Sequence, residues 1–216
     1  MRVHRTSRFA FVLGLASVLA STAPVKADTS THRSPARGTT TPEVQPVVTP
    51  EQAAALFTWL ARQKDIAFGY PWDGCYARAH LMARRLRARG YEPGKVWAFA
   101  NHDNLHVFTD PRHAVEWKYH VAPTLRVRIP NGTIQVMVLD PSMFSWPVHI
   151  SEWSAAQKKY TRSHPYITMT KIGQAPILPN GERAPGSGYW PAADPHEGLD
   201  AHALKTMKHY LAEVKR

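Results

Sequence analysis

Between Phe68 and Arg89 the chain reads FGYPWDGCYARAHLMARRLRAR, and no other stretch limits the possible folds as tightly. Apolar side chains recur at Ala79, Met82, Ala83 and Leu86, while Arg84, Arg85, Arg87 and Arg89 fall toward water. The spacing predicts a helix with one buried and one basic face, opened by the punctuation at Pro71, Asp73 and Gly74 and ended by Gly90. Asp73 is the expected N-cap, which puts Cys75, the chain's only cysteine, in the first turn. Unpaired N–H groups and the positive end of the helix dipole favour a thiolate there, and such cysteines have pKa values lowered from about 8.5 into roughly the 3.5–7.5 range. Free cysteine is also among the most buried residue types. This stretch alone therefore leaves a nucleophile and a packed core thiol equally open.

What precedes the stretch bears on that choice. Arg2, Arg5 and Arg8 stand ahead of an apolar run from Phe9 to Ala20, followed by small residues ending at Val25-Lys26-Ala27. This is the layout of a secretory signal peptide cleaved after Ala27. The run is too short to span a bilayer, and no later segment approaches the required length of about 20 apolar residues. The mature chain is expected to be soluble and secreted, periplasmic or extracellular, with no membrane anchor and as a monomer. In an oxidising compartment a lone thiol has no internal partner, so it is either reactive or paired with another chain, which favours chemistry. The formal charge of +11 falls to +7 once the leader is removed, because residues 1–27 hold four basic side chains and no acidic one. No nucleic-acid motif and no run of Lys and Arg interleaved with aromatics accompanies that charge, so a solvated basic face is expected and no nucleic acid partner.

Residues 28–48, rich in Thr, Ser and Pro, read as a disordered linker, and 49–216 as one domain, which holds all seven tryptophans of a chain that is 44% hydrophobic. Thr49-Pro50-Glu51-Gln52 predicts a capping box with Pro at the first helical position, for a helix to about Lys64 burying Leu56, Phe57, Trp59 and Leu60. Residues 95–100 and 105–109 are short apolar runs expected to pair across the turn-like Asn101-His102-Asp103-Asn104. His102 and His106 are four apart, but Asp103 and Asn104 favour a turn over the helix a zinc pair needs, and no metal is expected. Val115 to Val121 alternates strictly, with Val115, Trp117, Tyr119 and Val121 on one face and His120 on the other, away from the core. Asn131-Gly132 predicts a hairpin joining strands at 124–129 and 134–139, the second ending at Asp140-Pro141-Ser142. Further helices are expected within 147–160, capped by Ser151, and after Asp194, with Leu199, Ala203, Leu204, Met207 and Leu211 inward. Residues 171–191 read as irregular.

Cys75, His120 and Asp140 thus supply a nucleophile, a general base and an orienting acid from three elements, the parts an acyl-transfer thiol site needs. Twelve histidines make chance combinations cheap. Three runs carry more weight: YPWDGCYARAH at 70–80, WKYHVA at 117–122 and LDPSMF at 139–144. In this order they closely resemble the bacterial protein-glutaminase family, enzymes that deamidate glutaminyl side chains in proteins. The resemblance covers Phe68 to about Val148. It implies an α+β fold of the papain-like or transglutaminase-like kind, with the Cys-bearing helix packed on an antiparallel sheet. It also implies Cys75 as nucleophile, His120 as base and Asp140 as third member, with His80 structural. No cofactor is implied, and the expected partners are proteins or peptides with exposed glutamine. Secreted members are typically made with a folded pro-region, whereas about twenty linker residues precede the first helix here, so self-inhibition by a pro-domain is not expected. A transglutaminase or thiol protease would use the same residues, and a non-enzymatic secreted interaction module would simply bury the thiol.

Overall fold

The computed structural model describes residues 47–101, 104–110, 113–158, 164–171, 174–183 and 197–215. The expected signal peptide and nearly all of the expected linker lie outside the described residues.

Helix α1 (Pro50–Ala61) starts as the sequence requires. The Thr49 hydroxyl accepts from the Gln52 N–H, and the Gln52 side chain accepts from the Thr49 N–H. Its inward face of Ala53, Leu56, Phe57 and Leu60 is buried, each large side chain contributing about 1.5–3 kcal/mol relative to exposure. It ends one turn short of the expected Lys64. Val48, the last residue of the expected linker, is held in place: it is buried and bridges Val127, with both backbone bonds made to Arg126 and Arg128. Helix α2 (Cys75–Arg87) buries Ala79, Met82, Ala83 and Leu86 as predicted.

The sheet has the order β6-β5-β4-β1-β7 and is antiparallel throughout: β1 (Gly94–Phe99), β4 (Tyr119–Arg128), β5 (Ile134–Val138), β6 (Val148–His149) and β7 (Tyr166–Lys171). Strands β2 (Leu105–Asp110) and β3 (His113–Trp117) form a separate two-stranded ribbon. The expected pairing of the run at 95–100 with that at 105–109 is therefore incorrect: β1 lies between β4 and β7, and β2 pairs with β3. The expected single strand at 115–121 is also two strands, broken at Lys118, and β4 continues through the residues expected to form another strand. The hairpin at Asn131-Gly132 forms, with Gly132 at φ +86°.

Pro123 decides where that hairpin ends. Its carbonyl accepts from the Leu139 N–H at 2.9 Å, but it has no N–H to return. The ladder stops, and the chain turns at Asp140.

Helices α1, α2 and α4 (Glu197–Val214) share one core with Leu125 and Val127 of the sheet and Leu139 just beyond β5. The short helix α3 (Ile150–Ala156) and the β2–β3 ribbon share another, through Trp153, Leu105, Val115 and Trp117 against Val96, Ala98, Ala122 and Val138. The central sheet thus has apolar cover on both faces. Helix α3 is capped by His149, whose ring accepts from the Ser151 N–H, in place of the expected Ser151. Within 171–191, Leu178 and Glu182 close a turn with an Ile177–Arg183 bridge, and β7, whose Tyr-Ile-Thr-Met-Thr run alternates, was not anticipated. Ala203 and Met207 of α4 are buried, but Leu204 points outward. The expected helix start at Asp194 lies outside the described residues, as does the side chain of Leu199.

Candidate active site

The start of α2 differs from expectation at its cap. Gly74, at φ +87°, is the N-cap, and no side chain bonds to the first turn. Asp73 instead accepts a hydrogen bond from the Tyr210 hydroxyl at 2.7 Å. Cys75 is therefore the first residue of the helix, beside N–H groups that carry no side-chain cap.

Buried Arg78, one turn further on, anchors the loop ahead of Cys75. Its Nη1 donates to the carbonyls of Ala67 at 3.2 Å, Tyr70 at 3.0 Å and Asp73 at 3.0 Å. A buried arginine on the apolar face, three residues after the thiol, was the sequence signal for this role.

His120 does not face solvent. It is 1% exposed, because the β4 face away from α2 is covered by Trp117 and Trp153. Their rings stack on the imidazole with centroids at 4.6 and 5.5 Å. Trp117 also donates from Nε1 to the Pro71 carbonyl at 2.9 Å, tying the β3 end that carries this wall to the loop ahead of Cys75. His120 Nε2 lies 2.7 Å from Asp140 Oδ2, and the same oxygen accepts from Trp153 Nε1 at 2.9 Å. The second carboxylate oxygen accepts from the Ser142 N–H at 3.2 Å, the local turn that Asp-Pro-Ser predicts. Asp140 is fully engaged, so its orientation and that of the ring are fixed.

The other imidazole nitrogen, Nδ1, is buried without a hydrogen-bond partner, and Cys75 is the neighbour that acts on that ring besides Asp140. Burial alone would depress the histidine pKa. The charge and hydrogen bond of Asp140, with Cys75, outweigh it and raise it to about 9. For Asp140, burial works upward, and the His120 charge and hydrogen bond, Trp153 and Arg78 together hold its carboxyl below the usual value. The three residues singled out in the sequence are thus brought together, the thiol on a helix tip and the other two at the ends of neighbouring strands.

A cavity of about 160 Å³ opens over Cys75, lined also by Trp72, Asp73, Arg78, Trp117 and Tyr119 among others. Its size suits one side chain, and Trp72 at its edge is 60% exposed. A larger hollow of about 320 Å³ lies over Gly94, Thr124, Val136 and Met169 and includes none of the three, whereas Cys75 lines the smaller one. His80 is engaged elsewhere, with its Nε2 2.5 Å from Asp200 of α4. His102 lies outside the described residues, His106 sits 3.7 Å from Glu116, and no group of three or more metal-binding side chains occurs among the described residues.

A family model described as glutaminase matches residues 52–157. Among solved structures, a pro-protein-glutaminase crystal structure aligns with 24% identity and a TM-score of 0.62, covering 80% of this chain and 61% of that one. A mutant of pro-protein-glutaminase aligns with 27% identity and a TM-score of 0.55, covering 64% and 53%. The solution structure of protein-glutaminase from Chryseobacterium proteolyticum aligns with 24% identity and a TM-score of 0.57, covering 75% and 86%. The chain thus spans only about half to three-fifths of the length of the pro-forms it matches. No curated protein matches it significantly. The fold is the α+β, transglutaminase-like architecture of those structures, and the family model together with that fold supports the protein-glutaminase family as the one this chain resembles.

Proposed function

We propose that the protein deamidates protein-bound glutamine, hydrolysing the side-chain amide to glutamate and ammonia through a Cys75 thioester. The observation that carries this reading is the imidazole of His120: one nitrogen is locked to Asp140 at 2.7 Å, and the other is left without a partner on the side of the thiol. Such a ring takes a proton from sulfur and holds it as imidazolium, and its raised pKa keeps that proton available through neutral pH.

The Cys75 thiolate attacks the carboxamide carbon, and the oxyanion that forms is received by backbone N–H groups at the uncapped start of α2. His120 protonates the departing nitrogen, ammonia leaves, and the acyl group stays on sulfur. Water activated by His120 then attacks the thioester, releasing glutamate and restoring the thiol. Asp140 stays ionised and steadies the imidazolium. The cavity over Cys75, of about 160 Å³, has room for one glutamine side chain presented from an exposed or unfolded segment. The layout of residues 1–27 supports action after export.

The test uses a blocked glutamine peptide and an unfolded protein as substrates, with ammonia as the readout. Wild type is expected to release ammonia without crosslinking or cleaving the protein, and Cys75→Ala to lose at least about a thousandfold in rate. Crosslinked product would indicate a transglutaminase and cleaved backbone a thiol protease. Equal ammonia from both versions would eliminate Cys75 as nucleophile.

A further inference from the structure

The glutaminase family model stops at residue 157, yet helix α4 touches the chain around Cys75 at several points. The Thr206 side chain bonds to Tyr76, and Met207 Sδ accepts from the Ala67 N–H at 3.4 Å. The Tyr210 ring lies flat on Tyr70, with centroids 4.1 Å apart and planes 7° from parallel, while its hydroxyl reaches Asp73 Oδ2 at 2.7 Å. Gly74 lies beneath this contact, where a Cβ would come within 2.6 Å of the Tyr210 ring and 3.1 Å of Met207.

The bond to Asp73 is the informative one. Asp73 stands one position before the N-cap, near enough for its carboxylate to reach first-turn N–H groups, where the helix dipole favours a negative charge. Here the first turn has no side-chain cap, and the carboxylate is held by a tyrosine 137 residues away in sequence. The other ionisable groups acting with it are Tyr76, Cys75 and Arg78, the last of which donates to the Asp73 carbonyl and leaves its carboxylate to Tyr210.

We propose that Tyr210 is a positioning residue for the thiol chemistry: by holding the Asp73 carboxylate, it keeps that charge off the first-turn N–H groups beside Cys75 and leaves the start of α2 free for an oxyanion. The effect on catalysis rests on the deamidase reading, whereas the effect on the thiol does not. Released, Asp73 would occupy the donors that the tetrahedral intermediate needs and would oppose ionisation of the sulfur.

Tyr210→Phe removes the hydroxyl and leaves the stacking on Tyr70 and the cover over Gly74 in place, so the fold is retained, as the melting temperature will check. Two quantities are read: kcat and KM for ammonia release, and the rate of Cys75 alkylation by iodoacetamide across pH, followed by intact mass on the folded protein. The expected result is a fall in kcat of about tenfold or more with KM changed less than twofold, since lost oxyanion donors act on the transition state. Alkylation is expected to shift its midpoint to higher pH. Asp73→Ala added to Tyr210→Phe should restore most of both, because it removes the carboxylate that had been released. An alkylation profile unchanged by Tyr210→Phe, or a loss that Asp73→Ala does not reverse, would overturn the proposal and leave Tyr210 as packing alone. Alkylation that shifts and recovers in a protein whose wild type releases no ammonia would uphold the positioning role while rejecting the deamidase reading.

Discussion

At the scale of single residues, the site depends on how completely Asp140 is satisfied. Its carboxylate accepts from His120, from Trp153 and from the Ser142 backbone while almost fully buried. Hydrogen bonds to a buried charge contribute about 1.5–3 kcal/mol, and an unmade one leaves a desolvated acceptor. Asp140→Asn preserves volume but removes the charge that holds His120 in one tautomer. Ammonia release should fall by about 10²- to 10⁴-fold with KM little changed, as steady-state kinetics would show. The alkaline limb of kcat in wild type should lie near pH 9, where His120 loses its proton, and should move down in Asp140→Asn. An alkaline limb unmoved by that substitution would detach Asp140 from the histidine's titration.

At the scale of elements, the first turn of α2 is shaped by what it lacks. Gly74 combines a left-handed φ of +87° with direct cover by Tyr210 and Met207. An L side chain there carries backbone strain of order 1–3 kcal/mol before the clash is counted. Gly74→Ala should therefore destabilise the protein by roughly 3 kcal/mol or more, read as a lowered denaturation midpoint at unchanged m-value. A far-removed cap gives the contrast: Thr49→Ala breaks the capping box of α1 and should cost only about 1 kcal/mol, with activity retained. Similar losses at the two positions would mean that α4 does not press on the start of α2.

At the scale of the whole molecule, two buried groups pull stability in opposite directions with pH. The pKa of His120 is raised from 6.5 to about 9, so the stabilisation it contributes is fully present below pH 6.5 and is lost as pH rises through 9. Lys95, buried on β1 with its ammonium 5.8 Å from the centroid of the Trp97 ring, has its pKa lowered by burial from 10.5 to about 8. Its protonated form is disfavoured in the folded state, so stability recovers as pH rises from 8 through 10.5. Each swing amounts to about 3 kcal/mol. Urea titrations should show stability falling from pH 6.5 to 8, nearly level to 9, and rising beyond. Lys95→Met should abolish the rise and raise stability at neutral pH, where wild type buries a charged amine. A rise that survives in Lys95→Met would assign it to another group.

The linear chain was enough to specify α1 with its capping box, the inward stripe of α2 and the Asn131-Gly132 hairpin, because each is fixed by neighbours within a few residues. Motif order was enough to single out Cys75, His120 and Asp140 as candidates. Partners distant in sequence decided the rest. Strict alternation sent His120 toward water on the assumption of one covered face, but α3 and the β2–β3 ribbon cover the other and bury it between two indoles. Local propensity gave Asp73 to the helix cap, and a tyrosine near the far end of the chain took its carboxylate. Which strands pair was equally hidden, since β1 reaches across to β7 rather than to the next apolar run. Propensity and capping are short-range energies that a segment carries with it, whereas burial and strand partnership arise only when segments far apart in sequence meet.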